Sequence, residues 1–153
     1  MRRKDREMDK EFALKVIDKC KYSVLSVISP ENKPYAVPLS MVRIENNIYF
    51  HCALEGKKLD ALNYNPNVCV VCVGDTMPIP QKFTMEYESA IIEGKAERVS
   101  DVTEKKAALK AIVIKYTPEN IKAFDTYIEK SIRVTDIWKI SMDKVTAKCN
   151  KCL

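Results

Sequence analysis

The chain has 153 residues, with 26 Lys and Arg against 21 Asp and Glu for a formal charge of +5, and six cysteines. That length suits one domain, residues 1–153, with a real but modest core. Arg2, Arg3, Lys4 and Arg6 are interleaved with Asp5, Glu7 and Asp9, which argues against the continuous basic stripe of a nucleic-acid binder. The N-terminus carries no signal-peptide core, and no apolar run approaches a membrane span. A soluble, cytoplasmic protein is expected. Its Cys20, Cys52, Cys69, Cys72, Cys149 and Cys152 then read as thiols rather than a disulfide framework.

In chain order, Asp9 suits the cap of a first helix whose Phe12, Ala13, Val16, Ile17 and Cys20 share one face. Residues 22–29 read as a strand, 30–33 as a turn and 34–43 as the returning strand. Pro34 and Pro38 each remove a ladder donor, so the second strand belongs at an edge or carries a bulge. Its unpaired backbone groups would then be free to face a ligand. After a turn at Glu45-Asn46-Asn47, an apolar strand runs through Ile48-Tyr49-Phe50 to His51, the only histidine. Gly56 follows, and a short helix opens on Lys57 and Lys58. Pro66 ends that helix by disfavouring helical geometry at Asn65.

Residues 68–73 are apolar without alternation and predict a strand buried on both faces. Gly74-Asp75 ends it, and Pro78 and Pro80 make 76–81 a loop. Residues 84–97 predict a long strand bent near Gly94. Asp101-Val102-Thr103-Glu104 has the form of a capping box. It opens a helix with Ala108, Leu109, Ile112, Val113 and Tyr116 inward. Thr117 and Pro118 suit the start of another helix, with Ile121, Phe124 and Ile128 inward. Strands at 134–141 and 145–148 close the chain. Many strands joined by hairpin-length connections give an α+β class, a mostly antiparallel barrel with flanking helices whose closure would remove exposed edges.

The stretch from Ile48 to Asp60 is the candidate site. A strand, a turn with glycine and two lysines at a helix start form a seat for a phosphate, because free N–H groups and the positive end of the helix dipole point at the anion. His51 just before this seat is either a satisfied structural histidine or an acid–base group. Tyr87, Tyr116, Tyr127 and Trp138 either pack in the core or at a subunit contact, or cover a ring-shaped ligand. With only Gly56, Gly74 and Gly94 in the chain, no Walker or dinucleotide fingerprint exists. Cys69 and Cys72 are three apart in a strand and point to opposite faces, so they do not share a metal. Cys149 and Cys152 at the terminus are exposed to adventitious oxidation, and no metal is expected.

Several segments in order carry a resemblance: Met1-Arg2-Arg3-Lys4-Asp5-Arg6-Glu7, Tyr35-Ala36-Val37-Pro38-Leu39, and Ile48-Tyr49-Phe50-His51-Cys52-Ala53-Leu54-Glu55-Gly56-Lys57-Lys58. Val73-Gly74-Asp75-Thr76, Tyr87-Glu88-Ser89 and Glu93-Gly94-Lys95-Ala96 continue it. The chain resembles the nitroimidazole-resistance branch of the pyridoxamine-phosphate-oxidase-like family, through about the helix after Asp101. That resemblance implies a split β-barrel homodimer holding FMN, or alternatively FAD, at the subunit interface. Val37, Pro38, Leu39, Ser40 and Met41 would lie along the flavin ring and ribityl chain. His51, Cys52 and Ala53 would follow the ring edge and tail, and Gly56, Lys57 and Lys58 would hold the phosphate. Tyr87 and Ser89 would come from the other subunit. Many relatives of the vitamin-processing branch have arginine where Lys57 stands; lysine keeps the charge without the fork. That branch's C-terminal substrate pattern is missing around Trp138-Lys139-Ile140-Ser141, so oxidation of pyridoxamine phosphate is not expected.

The expected function is a flavin-dependent oxidoreductase passing electrons from NAD(P)H to a nitroaromatic or other small acceptor, with His51 as the candidate proton donor. The alternative is a flavin- or haem-binding module without turnover, for sensing, storage or protection.

Overall fold

A computed structural model describes residues 2–151; Cys152 lies outside them. The elements in order are β1 (Glu7–Met8), α1 (Lys10–Lys19), β2 (Ser23–Ile28), β3 (Pro34–Leu39), β4 (Val42–Ile44), β5 (Asn47–Cys52), α2 (Lys57–Tyr64), β6 (Asn67–Ile79), β7 (Thr84–Arg98), α3 (Val102–Tyr116), α4 (Phe124–Ser131), β8 (Asp136–Ser141) and β9 (Lys144–Asn150). The strands form one mostly antiparallel sheet in the order β3-β2-β6-β7-β8-β5-β4, with β9 joining β7 to β1. The class is α+β, as expected.

The sheet does not close. Its path ends at β3 and β4, so the edges are left in place rather than removed by a complete barrel. Strand β7 serves two halves of the sheet: Tyr87 to Glu93 pair with β9, and Ala96 to Arg98 pair with β8. The corner between them is Gly94, where an added Cβ would collide with the Ser141 backbone carbonyl. Ser141 also receives the Lys95 N–H on its hydroxyl at 3.0 Å. Glycine is needed at this corner because one strand passes directly over another.

The first helix forms as its sequence predicts. Asp9 accepts from the Phe12 N–H at 2.8 Å, and Ala13, Val16 and Ile17 are buried. They meet a core that includes Leu25, Ile48, Phe50, Leu62, Val70 and Ile92. The prolines hold to their edge, since β3 pairs only with β2. Residues 34–43 are nevertheless two strands, β3 and β4, parted at Ser40 and Met41 and lying at opposite ends of the sheet path.

Other expectations are corrected. Along β6, Val68, Val70 and Cys72 are buried, while Cys69 and Val71 are half-buried and Val73 is 48% exposed. The apolar run therefore has one core face, not two. Cys69 and Cys72 do point to opposite faces. Gly74-Asp75 is a bulge rather than a strand end, as the β6–β7 register shifts between Val73 and Thr76. Residues 76–79 are not a loop: Thr76 pairs with Tyr87, and Pro78 with Met85. Pro78 is tolerated because β2 pairs with β6 only over Cys69 to Cys72, so this arm has a free side for the missing N–H.

Asp101 accepts from the Glu104 N–H at 2.7 Å, but the capping box is half made. The Glu104 carboxylate instead accepts from the Tyr49 hydroxyl at 2.9 Å and pairs with Lys139 at 3.5 Å. Pro118–Ala123 forms a 3-10 turn without a Thr117 side-chain cap, and α4 begins only at Phe124. Phe124 and Ile128 point inward as predicted.

Candidate functional site

The site grows from the break between β3 and β4. Met41 is buried, and one phenol holds both of its peptide groups. The Tyr116 hydroxyl accepts from the Met41 N–H at 3.0 Å and donates to the Met41 carbonyl at 2.8 Å. Lys115 Nζ donates to the same carbonyl at 3.0 Å and to Ile17 O at 3.2 Å. The end of α3 thus fixes the break, and Met41 offers its backbone to the protein rather than to a ligand. Burial pushes the Tyr116 hydroxyl up to about 12, so it keeps its proton at neutral pH and can donate.

Ser40, exposed beside this anchor, lines a cavity of about 490 Å3 with His51, Ile112, Tyr116, Phe124 and Tyr127. The volume falls within the roughly 300–1,000 Å3 of ligand pockets, and the mixture of apolar walls with a few polar groups fits that class. Its roof is the far half of the chain, α3 and α4. Sequence periodicity assigns Ile112, Tyr116 and Phe124 to core faces; the folded chain gives all three a second role, lining this cavity beside His51.

His51 sits near the end of β5, paired across the ladder with Ile137, while Cys52 faces Asp136. Desolvation holds the His51 imidazole below its ordinary value, and the Lys58 charge adds to this. The neutral ring is therefore favoured at pH 7. Burial pushes the Cys52 thiol up, so it stays protonated.

Ala53 and Gly56 belong to the turn that follows. Gly56 has φ +131° and begins α2 with no side-chain cap. A Cβ built there would meet nothing within 4 Å. This is an open backbone corner of a kind that favours glycine. The Gly56 carbonyl accepts from Leu59 N at 2.8 Å, starting the helix, and Leu59, Ala61 and Leu62 bury its inner face. Lys57 and Lys58 stay outside the core. Lys58 Nζ lies 5.4 Å from the Phe50 ring centroid, and Lys57 Nζ 4.7 Å from that of Tyr35.

The predicted residues are gathered in part. Ser40 and His51 share the cavity, and Lys58 acts on both His51 and Cys52. Val37 and Leu39 lean on the core from β3, with Pro38 exposed between them. Tyr87 and Ser89 lie elsewhere in this chain. They pair with Thr76 and Val73 on one side and with Asn150 and Lys148 on the other. Tyr87 borders a separate cleft with Asp75, Met77 and Lys151.

The comparisons with known proteins follow the same outline. The model of the pyridoxamine 5'-phosphate oxidase family matches residues 9–149. The chain belongs to that family. Among solved structures, a candidate 5-nitroimidazole antibiotic resistance protein from Bacteroides thetaiotaomicron is 27% identical, with 94% of this chain and 86% of that one covered at a TM-score of 0.81. The Azotobacter vinelandii flavocytochrome Anf3 is 20% identical, covering 94% and 68% of the two chains at 0.78. An FAD and heme binding protein from Mycobacterium smegmatis is 16% identical, covering 96% and 74% at 0.79. The last two show the shared fold. No curated protein matched the chain. No helix among the described residues is long and apolar enough to cross a membrane, and none of their acidic, histidine and cysteine side chains form a group of three able to hold a metal ion.

Proposed function

We propose that this protein binds a flavin and uses it to reduce a small electron acceptor, a nitroaromatic or quinone-like compound, with NAD(P)H as the donor. The observation that carries the reading is the corner at Gly56. An uncapped helix start with open space at its glycine, followed at once by two lysines, fits a phosphate ester. The cavity bounded by Ser40 and His51 offers an apolar chamber for a ring system, and the Lys58 charge reaches its His51.

When bound, the flavin supplies the two-electron chemistry. The chain's own residues bind, orient and dry the site. Lys57 and Lys58 neutralise the phosphate. The Tyr116–Met41 anchor keeps the cavity wall at Ser40 in place. Ile112 and Phe124 exclude water from the chamber. His51, neutral at pH 7, accepts a hydrogen bond from an acceptor or passes it a proton taken from solvent. The working unit is a homodimer, a reading supported by the apolar surface left on the β6–β7 arm, where Val73, Met77 and Met85 are about half exposed and Phe83 almost fully so.

The test is the visible spectrum of the purified protein after incubation with flavin, followed by titration of a Lys57→Ala/Lys58→Ala variant. Charge-assisted bonds are worth about 1.5–3 kcal/mol each, so the variant is expected to bind at least about a hundredfold more weakly. Undiminished affinity would sink the phosphate seat. Oxidation of NAD(P)H with and without a nitro compound then tests turnover.

A second reading rests on His51 itself. As the chain's only histidine, neutral and lining a cavity, it would offer a ring nitrogen to hold haem iron in a module without turnover. A Soret band on adding haem, lost in His51→Ala, would favour that module.

A further inference from the structure

Three buried polar side chains lie where α1 gives way to β2, and no step above uses them. Cys20 closes α1, its N–H bonded to Val16 O at 3.0 Å. Three residues later Ser23 opens β2, directly opposite Cys72 of β6. The Ser23 hydroxyl lies 3.4 Å from Cys20 Sγ and 3.2 Å from Cys72 Sγ, and the two thiols also hydrogen-bond each other. All three residues are at most 2% exposed.

Packing alone asks only for small apolar residues at such positions. Charge and access ask for more. The Cys20 S–H donates to Ile17 O at 3.3 Å, and Lys115 Nζ donates to the same carbonyl at 3.2 Å, which brings a cation beside the sulfur. The bond from Cys72 holds the Cys20 thiol below its ordinary value; burial and Asp18 oppose it, while Ser23 and the Lys115 charge add to it. The same bond, with burial, pushes the Cys72 thiol up. The first proton therefore leaves Cys20 and the second stays on Cys72, which divides the pair into an attacking thiolate and a resolving thiol.

Access comes from the strand ends. Because β2 starts only at Ser23, β6 runs on past Cys72 without it, into the bulge between Val73 and Thr76. Between that bulge and the turn at Lys21 and Tyr22 lies a cleft of about 250 Å3, with Cys20 in its wall and Lys19 and Asp75 beside it. So little of Cys20 is exposed that only an oxidant not much larger than water reaches the sulfur.

We propose that Cys20 and Cys72 form a redox site for a small hydroperoxide, in which Cys20 attacks the peroxide and Cys72 closes a disulfide. The site does not depend on the flavin reading. The Cys20 thiolate attacks one oxygen of hydrogen peroxide, the O–O bond breaks, and Cys20 becomes a sulfenic acid. The leaving hydroxide takes up the proton that Cys20 released. The Cys72 sulfur then attacks the Cys20 sulfur, the S–O bond breaks, and the second hydroxide takes the Cys72 proton. The thiol pair gives up two electrons, the peroxide accepts them, and two waters form.

The full-length protein is reduced with dithiothreitol, freed of it, and treated with about one equivalent of hydrogen peroxide. N-ethylmaleimide in denaturant then labels every remaining thiol, and peptide mass spectrometry reads each cysteine. The expected product is a peptide pair joined through Cys20 and Cys72, which dithiothreitol returns to free thiols. Cys72→Ser should stop at a Cys20 sulfenic acid that dimedone traps. Cys20→Ser should slow oxidation of Cys72 at least about tenfold, since that thiol keeps its proton. Circular dichroism reports whether each variant is folded; where one is not, the wild-type peptide map decides alone. Full labelling of both thiols after peroxide, a bond made through Cys69 or Cys149 instead, or a sulfenic acid on Cys72 rather than Cys20 would overturn the assignment.

Discussion

Replacing Tyr116 with Phe isolates the bond network that shapes the cavity wall. The ring volume is conserved, so no hole is made. The substitution removes only the hydroxyl that serves both Met41 N–H at 3.0 Å and Met41 O at 2.8 Å. The two losses are unequal. Lys115 Nζ still donates to the carbonyl at 3.0 Å, whereas the N–H loses this acceptor at a residue only 2% exposed. Leaving one buried donor without a partner costs about 1–3 kcal/mol, and the softened carbonyl loss adds less. A destabilisation of about 2 kcal/mol follows. It lowers the melting temperature by about 4–8 °C for a chain of this size, and the urea midpoint by about 1 M. Far-UV circular dichroism during urea unfolding reads the stability. Because Ser40 adjoins the released peptide in the cavity wall, flavin titration of the same variant should show weakened binding. A midpoint within about 0.2 M of wild type, together with unchanged flavin affinity, would refute the idea that α3 holds the β3–β4 break in place.

Other outcomes follow from separate parts of the molecule. Gly94→Ala forces a methyl against the Ser141 carbonyl and should cost about 1–3 kcal/mol or more, read as a lower melting temperature. Asp136 is 1% exposed, accepts from Arg98 Nε at 3.0 Å and from Trp138 Nε1 at 3.2 Å. Asp136→Ala leaves the buried Trp138 indole N–H without its acceptor, while Arg98 turns to water, and should cost about 1–3 kcal/mol in urea unfolding; stability equal to wild type would show the carboxylate to be idle. His51 should titrate below its ordinary value of 6.5 in a proton NMR experiment on the imidazole resonances, which come from one ring. The sign follows from linkage. The unfolded state binds the proton first as pH falls from 6.5, so the ring's contribution is present above 6.5 and is lost on descending toward the folded value. His51→Gln should flatten that part of the stability–pH curve, and a ring titrating above 6.5 would contradict it.

Much of this architecture is legible along the chain because its signals are local. Asp9 and Asp101 cap their helices within three residues. Pro34 and Pro38 mark the edge strand through donors they lack. Gly56 and the two lysines mark the α2 corner by backbone freedom and charge alone. Local signals mislead where a partner distant in sequence decides. Pro78 reads as a loop residue because nothing nearby says that β2 stops short of it. Glu104 reads as half of a capping box because Tyr49 and Lys139, which take its carboxylate, are not neighbours in the chain.

Composition and local order determined the α+β class, the first helix, the edge strand and the cationic helix start, since each depends on contacts spanning a few residues. Only the folded chain decided that the sheet stays open, that Gly94 of β7 lies against the Ser141 backbone, and that Tyr116 reaches Met41 to shape a cavity over His51. It also turned Lys57 over the Tyr35 ring and Lys58 over the Phe50 ring. Those features are set by side chains that meet across long stretches of sequence, where periodicity and propensity carry no information about which surfaces will touch.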